Sequence, residues 1–142
     1  MEPGFAPEAL AILPPEQRTA LAVSRDFLRA VSANNLPAAM TLCTTPFFWN
    51  RKQTLQKPAA LRDAFAAFFA EEGAQALKAN AEEIYPVGEA IMRILTAEAQ
   101  KFIEDFVGKS GLLYFAWFQD ERLALFLKKS DGGAWRVAGF ED

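Results

Sequence analysis

"VSRDFLRAVSANNLPAAMTLCTTPFFW", residues 23–49, is the stretch on which the fold turns. It begins inside a helix. Pro14-Pro15 opens that helix, because proline suits a first helical turn and is poor deeper inside. Ala20, Val23, Phe27, Ala30 and Val31 recur at three- and four-residue spacing, which gives one buried stripe down to about Ala33. Asn34-Asn35 ends the helix and caps a short one, Leu36–Cys43, since asparagine tolerates left-handed backbone and accepts bonds from free amides. Thr44-Thr45-Pro46 stops that helix. Phe47–Trp49 then reads as a short strand, with Thr54-Leu55-Gln56 as its return. Alternation sends Phe47 and Trp49 one way and Phe48 the other. Three large rings directly before Asn50-Arg51-Lys52-Gln53 have two uses: they seal a core, or they border the mouth of a ligand pocket.

Downstream, Pro58–Glu72 is the clearest helix, closed by Gly73. Leu61, Ala64, Phe65, Phe68 and Phe69 form its apolar face. Glu82–Val87 reads as a strand that Pro86 confines to a sheet edge. Thr96 to Val107 follows the helical period and Gly108 suits its end, while residues 89–95 fit either an extension of the strand or helix. The last third is a meander: Leu112–Gln119, Arg122–Lys129 and Ala134–Phe140. A three-residue loop over Asp131–Gly133 pairs Lys129 with Trp135, Leu127 with Val137 and Lys128 with Arg136. A two-residue loop would set Leu127 against Arg136 and mix a core face with a charged one.

"LLYFAWF", residues 112–118, is apolar on both faces, whereas a surface antiparallel strand keeps one face wet. The N-terminal helices cover one face only. A second copy of the sheet is the simplest cover for the other, so the expectation is a homodimer packed through the sheet. The alternative is that the segment near 96–107, or the N-terminal arm, covers it within one chain.

The totals bound the function classes. The 142 residues suit one domain, read as an arm over 1–14 and a domain over 15–142. Thirteen phenylalanines supply a large apolar payload that needs no polar partner. A net charge of −3 without a basic stripe argues against nucleic acid. No apolar run is long enough for a membrane span, and the acidic, proline-broken start is no secretory signal, so a cytoplasmic protein is expected. The single cysteine, Cys43, forms no internal disulfide and sits in an apolar pattern as a small core residue. The chain has no histidine, which removes the commonest general base, the usual catalytic triads and most zinc sites. No metal and no cofactor is expected, and glycine-rich phosphate loops are absent.

The order of elements in "VSRDFLRAVSANNLPAAMTLCTTPFFW", "KPAALRDAFAAFF" and "GGAWRVAGFED" resembles the nuclear transport factor 2-like superfamily, which includes polyketide-cyclase-like and ketosteroid-isomerase-like proteins. The resemblance implies an α+β cystatin-like cone: N-terminal helices packed in the concave face of a curved, mostly antiparallel sheet, with an apolar pocket at the wide end. The segment 96–107 would be an insertion between sheet strands. Enzymes of this superfamily commonly use Asp, His or Tyr inside the cone. Here no base, donor and orienter match that pattern; Glu82, Glu83 and Asp120-Glu121 read as solvated, and Asp26 as a wet-face neighbour of Phe27. Trp49, Phe65, Tyr85, Tyr114 and Trp117 are the pocket-wall candidates, because such rings bury area and the indole and phenol tips fix orientation. Tyr114 and Trp117 have opposite parity, so at most one faces a cavity. The leading expectation is a small hydrophobic ligand bound without catalysis. The alternatives are an interaction module whose cone is filled by its own phenylalanines, and a carboxylate-dependent isomerase or cyclase-like enzyme.

Overall fold

The computed structural model describes residues 13–72, 79–118 and 121–142. Helix α1, Pro15–Ser32, carries proline at its start and buries Ala20, Leu21, Ser24, Phe27, Leu28 and Ala30. The stripe is wider than the one expected from spacing and rotated toward Leu21 and Leu28; Val23 and Val31 lie at its half-buried flanks. Asn34, at φ 54°, makes the break, and the Asn35 side chain accepts from the Ala38 amide at 3.2 Å. Helix α2 is Leu36–Thr41. It is shorter than expected, because β1 already starts at Cys43 and runs to Trp49. The register of β1 against its neighbour shifts between Cys43 and Phe48, which lets Pro46 sit inside a strand where it cannot donate a ladder bond.

β2, Gln53–Leu55, returns antiparallel to β1, and α3, Pro58–Glu72, follows. β3 is Ala81–Pro86. The ambiguous stretch turns out helical: α4 is Glu89–Met92, and α5, Ala97–Phe102, is capped by Thr96. The chain then widens into a π-helical turn, Ile103–Val107, ended by Gly108 at φ 77°. We call residues 89–107 the strap. β4, Leu112–Phe118, β5, Glu121–Lys129, and β6, Trp135–Glu141, complete the sheet. Residues 1–12 of the expected arm over 1–14, the Gly73 helix end, and Gln119 and Asp120 at the expected hairpin tip lie outside the described residues.

The six strands run in the order β2-β1-β6-β5-β4-β3, with β1–β6 parallel and every other pair antiparallel. β3, with its Pro86, is an edge as expected. The β5–β6 loop also forms as expected: Lys129 pairs with Trp135, Lys128 with Arg136 and Leu127 with Val137. Gly133 sits at φ 85°, the left-handed residue that such a three-residue hairpin loop needs.

The curled sheet has two buried faces. On the concave face, α1 and α3 pack Leu21, Phe27, Leu28, Leu61, Phe65 and Phe69 onto Phe47, Leu112, Tyr114, Leu125 and Leu127. On the outer face, the strap's Met92, Leu95, Phe102, Ile103 and Val107 pack onto Phe48, Leu113, Phe115 and Phe126. "LLYFAWF" is apolar on both sides because this chain covers both. The strap buries Leu113 and Phe115 within one chain, the alternative cover to a second copy of the sheet, and leaves Tyr85 and Trp117 partly buried on the same face. Among the described residues, no helix is long and apolar enough to cross a membrane.

Candidate functional site

The site is built from three elements. Arg25 sits on α1 between Leu21 and Leu28, at the four- and three-residue spacings that share a helix face. It therefore lies at the margin of the buried stripe. Glu82 lies on β3 with Ala116 of β4 as its cross-strand partner. Ala116 is fully buried and small, which leaves room beside it. Tyr114 is the diagonal neighbour, within reach of a long side chain.

These three side chains join. Arg25 Nε donates to Glu82 Oε1 at 3.2 Å and Oε2 at 2.9 Å, and Nη2 donates to Oε1 at 2.7 Å. The Tyr114 hydroxyl donates to Glu82 Oε2 at 2.8 Å. Side-chain exposure is 34% for Arg25 and 10% for Glu82, so the arginine forms the wet end of the cluster.

Electrostatics follow from this geometry. Burial pushes the Glu82 carboxyl up, but the hydrogen bonds from Arg25 and Tyr114 and the Arg25 charge outweigh it and hold the group below its ordinary value. Burial, then the Glu82 charge and hydrogen bond, push the Tyr114 phenol up, so it stays a neutral donor. The hydrogen bond to Glu82 raises Arg25 despite its partial burial. Glu82 is thus an ionised carboxylate with both oxygens engaged. A general base needs an accessible lone pair and a pKa near the working pH; Glu82 has neither.

Across the same face the wall turns aromatic. The strand register carries one row from Trp49 to Phe140, Leu125, Tyr114 and Ile84, and the next from Leu123 through Ala116 to Glu82. Trp49 stands edge-on to Phe140 at 5.0 Å and to Phe65 at 5.1 Å, and Phe68 of α3 reaches it at 6.4 Å. Trp49, Phe118, Leu123 and Phe140 are only partly buried, and Phe68 is 37% exposed. This end of the cone therefore holds a ring wall on one side and a polar cluster on the other.

Of the expected wall residues, Trp49, Phe65 and Tyr114 share the concave face. Tyr85 and Trp117 lie on the outer face against Phe115, at 6.1 and 6.0 Å between rings, because odd positions of β3 and β4 point to the strap. Arg51 and Lys52 do occupy the turn after β1, where Arg51 Nε donates to the Asp142 carbonyl at 2.9 Å. Cys43 is a half-buried thiol pushed up by burial, which fits a packing role.

The sequence reading missed Arg25 and took Glu82 for a solvated residue. The available signal was the Leu21-Arg25-Leu28 alignment on α1 and the same-face parity of Glu82 with Ile84. A second buried carboxylate was also missed. Glu141 accepts from the Thr96 amide at 3.0 Å and the Thr96 hydroxyl at 2.7 Å, and so ties the strap to β6.

No family model matches this sequence, and no curated protein matches it. Solved structures do. A ketosteroid isomerase-like protein from Erwinia carotovora atroseptica superposes with a TM-score of 0.52 at 16% identity, over 90% of this chain and 95% of that one. A candidate calcium/calmodulin dependent protein kinase II association domain from Xanthomonas campestris gives 0.55 at 10% identity, over 99% and 92%. At such identities the likeness is one of fold.

Proposed function

From the nuclear transport factor 2-like, cystatin-like α+β fold of this chain, we propose that it binds a small, largely apolar molecule on the concave face, between the ring wall at Trp49 and the cluster at Glu82. The observation that carries this reading is the pairing of partly uncovered rings with one polar cluster on a single face. Ligand sites combine such apolar walls with a few fixed polar groups. Trp49, Phe140 and Phe118 supply area, and Arg25 supplies a donor for orientation. The ionised, fully engaged state of Glu82 favours binding over proton abstraction. Among the described residues, every buried side-chain nitrogen and oxygen has a partner, so the cluster is set before any ligand arrives.

Native mass spectrometry of freshly purified protein tests the reading. The expected result is an adduct that leaves on activation from the wild type and is missing from Trp49→Ala. An adduct kept by Trp49→Ala would move the site off the ring wall. A bare protein that also fails to take up the neutral dye Nile red would overturn the reading. The same spectrum reads assembly. A homodimer mass would support assembly through what the strap leaves uncovered, which includes the partly buried Tyr85 and Trp117 and the exposed Ile94 and Phe106.

A further inference from the structure

A half-exposed arginine beside an apolar wall looks like a receptor for an acidic ligand, because the guanidinium fork fits a carboxylate or phosphate. The bonding argues otherwise. Glu82 already occupies the Nε–Nη2 side of Arg25 with three contacts between 2.7 and 3.2 Å. The two charges sum to zero, and Tyr114 adds a neutral donor that Glu82 also takes. Arg51, at the turn following Trp49, also has a carboxylate nearby, Asp142 at 3.7 Å, in an exposed and looser pair. A ligand anion placed beside Arg25 would stand close to the Glu82 carboxylate, with Ala116, Leu123 and Phe118 around it. Like charges in poorly hydrated surroundings repel strongly, and a desolvated anion needs a counter-charge of its own. A neutral acceptor, such as an amide or ketone oxygen, takes an Arg25 N–H without either cost.

Resting on the binding reading above, we infer that the site selects an uncharged hydrogen-bond acceptor on an apolar body over the corresponding anion, and that Glu82 is the residue that sets this selection. Its role is to cancel Arg25, not to touch the reacting part of a substrate.

The test is calorimetric titration with two probes of one shape, 2-naphthamide and the 2-naphthoate anion, at neutral pH. Wild type should bind the amide at least about tenfold more tightly, the ratio expected from one unfavourable charge contact near a protein surface. Glu82→Gln frees the arginine charge and should move the ratio toward naphthoate by about tenfold or more. The double variant Arg25→Gln with Glu82→Gln removes both charges and should restore the preference for the amide. Equal or tighter naphthoate binding by the wild type overturns the inference and leaves the binding reading standing; that comparison needs no variant to fold. A folded Glu82→Gln protein with an unchanged ratio also overturns it. Failure of both probes to bind a protein that takes up Nile red overturns the inference alone; failure of both probes and of Nile red overturns the proposed function with it.

Discussion

The two faces of one sheet are covered in different ways. On the outer face, Phe48 stacks on Phe126 at 5.7 Å and meets Phe102 of the strap at 5.4 Å. The buried members of that cluster are all apolar, and the strap closes over them. On the concave face, a charge pair and a phenol stand among the apolar residues, and the rings at one end are only partly covered. β4 serves both: Tyr114 and Ala116 point to the site, Leu113 and Phe115 to the strap. The contrast lies in what the apolar residues surround: the strap packs on an apolar cluster and ties to β6 through Glu141 and Thr96, whereas the concave face surrounds a charge pair and a phenol. Both faces keep some apolar surface partly uncovered, at Tyr85 and Trp117 outside and at Trp49, Phe118 and Phe140 inside.

Predictions sharpen that contrast. The largest effect belongs to the outer face. Phe126→Ala should cost about 3–5 kcal/mol in urea unfolding, as expected for a fully buried ring leaving a cavity. Ligand uptake per folded molecule should be unchanged; a parallel fall in uptake would mean the faces are coupled through β1.

Arg25→Ala should cost less, about 1–3 kcal/mol, because the arginine is partly exposed and solvent screens the pair. The sign of its pH dependence is defined. Glu82 is held below its ordinary value in the folded chain, so its contribution is fully present above the unfolded carboxylate pKa of about 4.3 and is lost as pH falls through the lower folded value. Without Arg25, burial pushes the carboxyl up instead. The stability gap between wild type and Arg25→Ala should therefore start to narrow above the ordinary carboxylate pKa of about 4.3, as the variant's Glu82 takes its proton, and finish narrowing as pH falls through the lower wild-type value. A gap constant from pH 7 to pH 3 would show that the pair carries no charge-dependent stability.

Tyr114→Phe should cost about 1.5–3 kcal/mol, the range for one hydrogen bond to a charged group, and less than Phe126→Ala because Glu82 keeps Arg25. If it instead matched Phe126→Ala, the phenol would be holding the concave face together rather than finishing its polar cluster. Thr96→Val removes a helix cap and one of two donors to buried Glu141, and should cost about 1–2 kcal/mol. Amide exchange over 97–107 should speed up while that in β4 and β5 changes little, since the lesion is local to the strap.

Periodicity and punctuation made most of the fold legible. Pro15 and Asn35 start helices, Pro58 opens the third, and Gly133 sits where a hairpin needs a left-handed residue. Such signals are local: they depend on backbone angles and on which neighbours share a face. Face parity also placed Phe47 and Trp49 together and Phe48 opposite, as observed. It could not say which parity of β3 and β4 faces the helices. Tyr85 and Trp117 were therefore grouped with residues on the other side of the sheet.

The sequence by itself determined the α+β class, the element order, the hairpin register and the absence of histidine chemistry, because composition and short-range spacing carry them. Only the tertiary structure decided what covers "LLYFAWF" and what Glu82 does. The strap's 89–95 stretch has no dominant period, so its docking on the outer face depends on contacts far apart in the chain. Arg25 and Glu82 are 57 residues apart, and each alone reads as a solvated charge. They become one site because α1 crosses the edge of the sheet where Ala116 leaves space, and because a buried carboxylate is stable there only with a cation and a phenol to satisfy it.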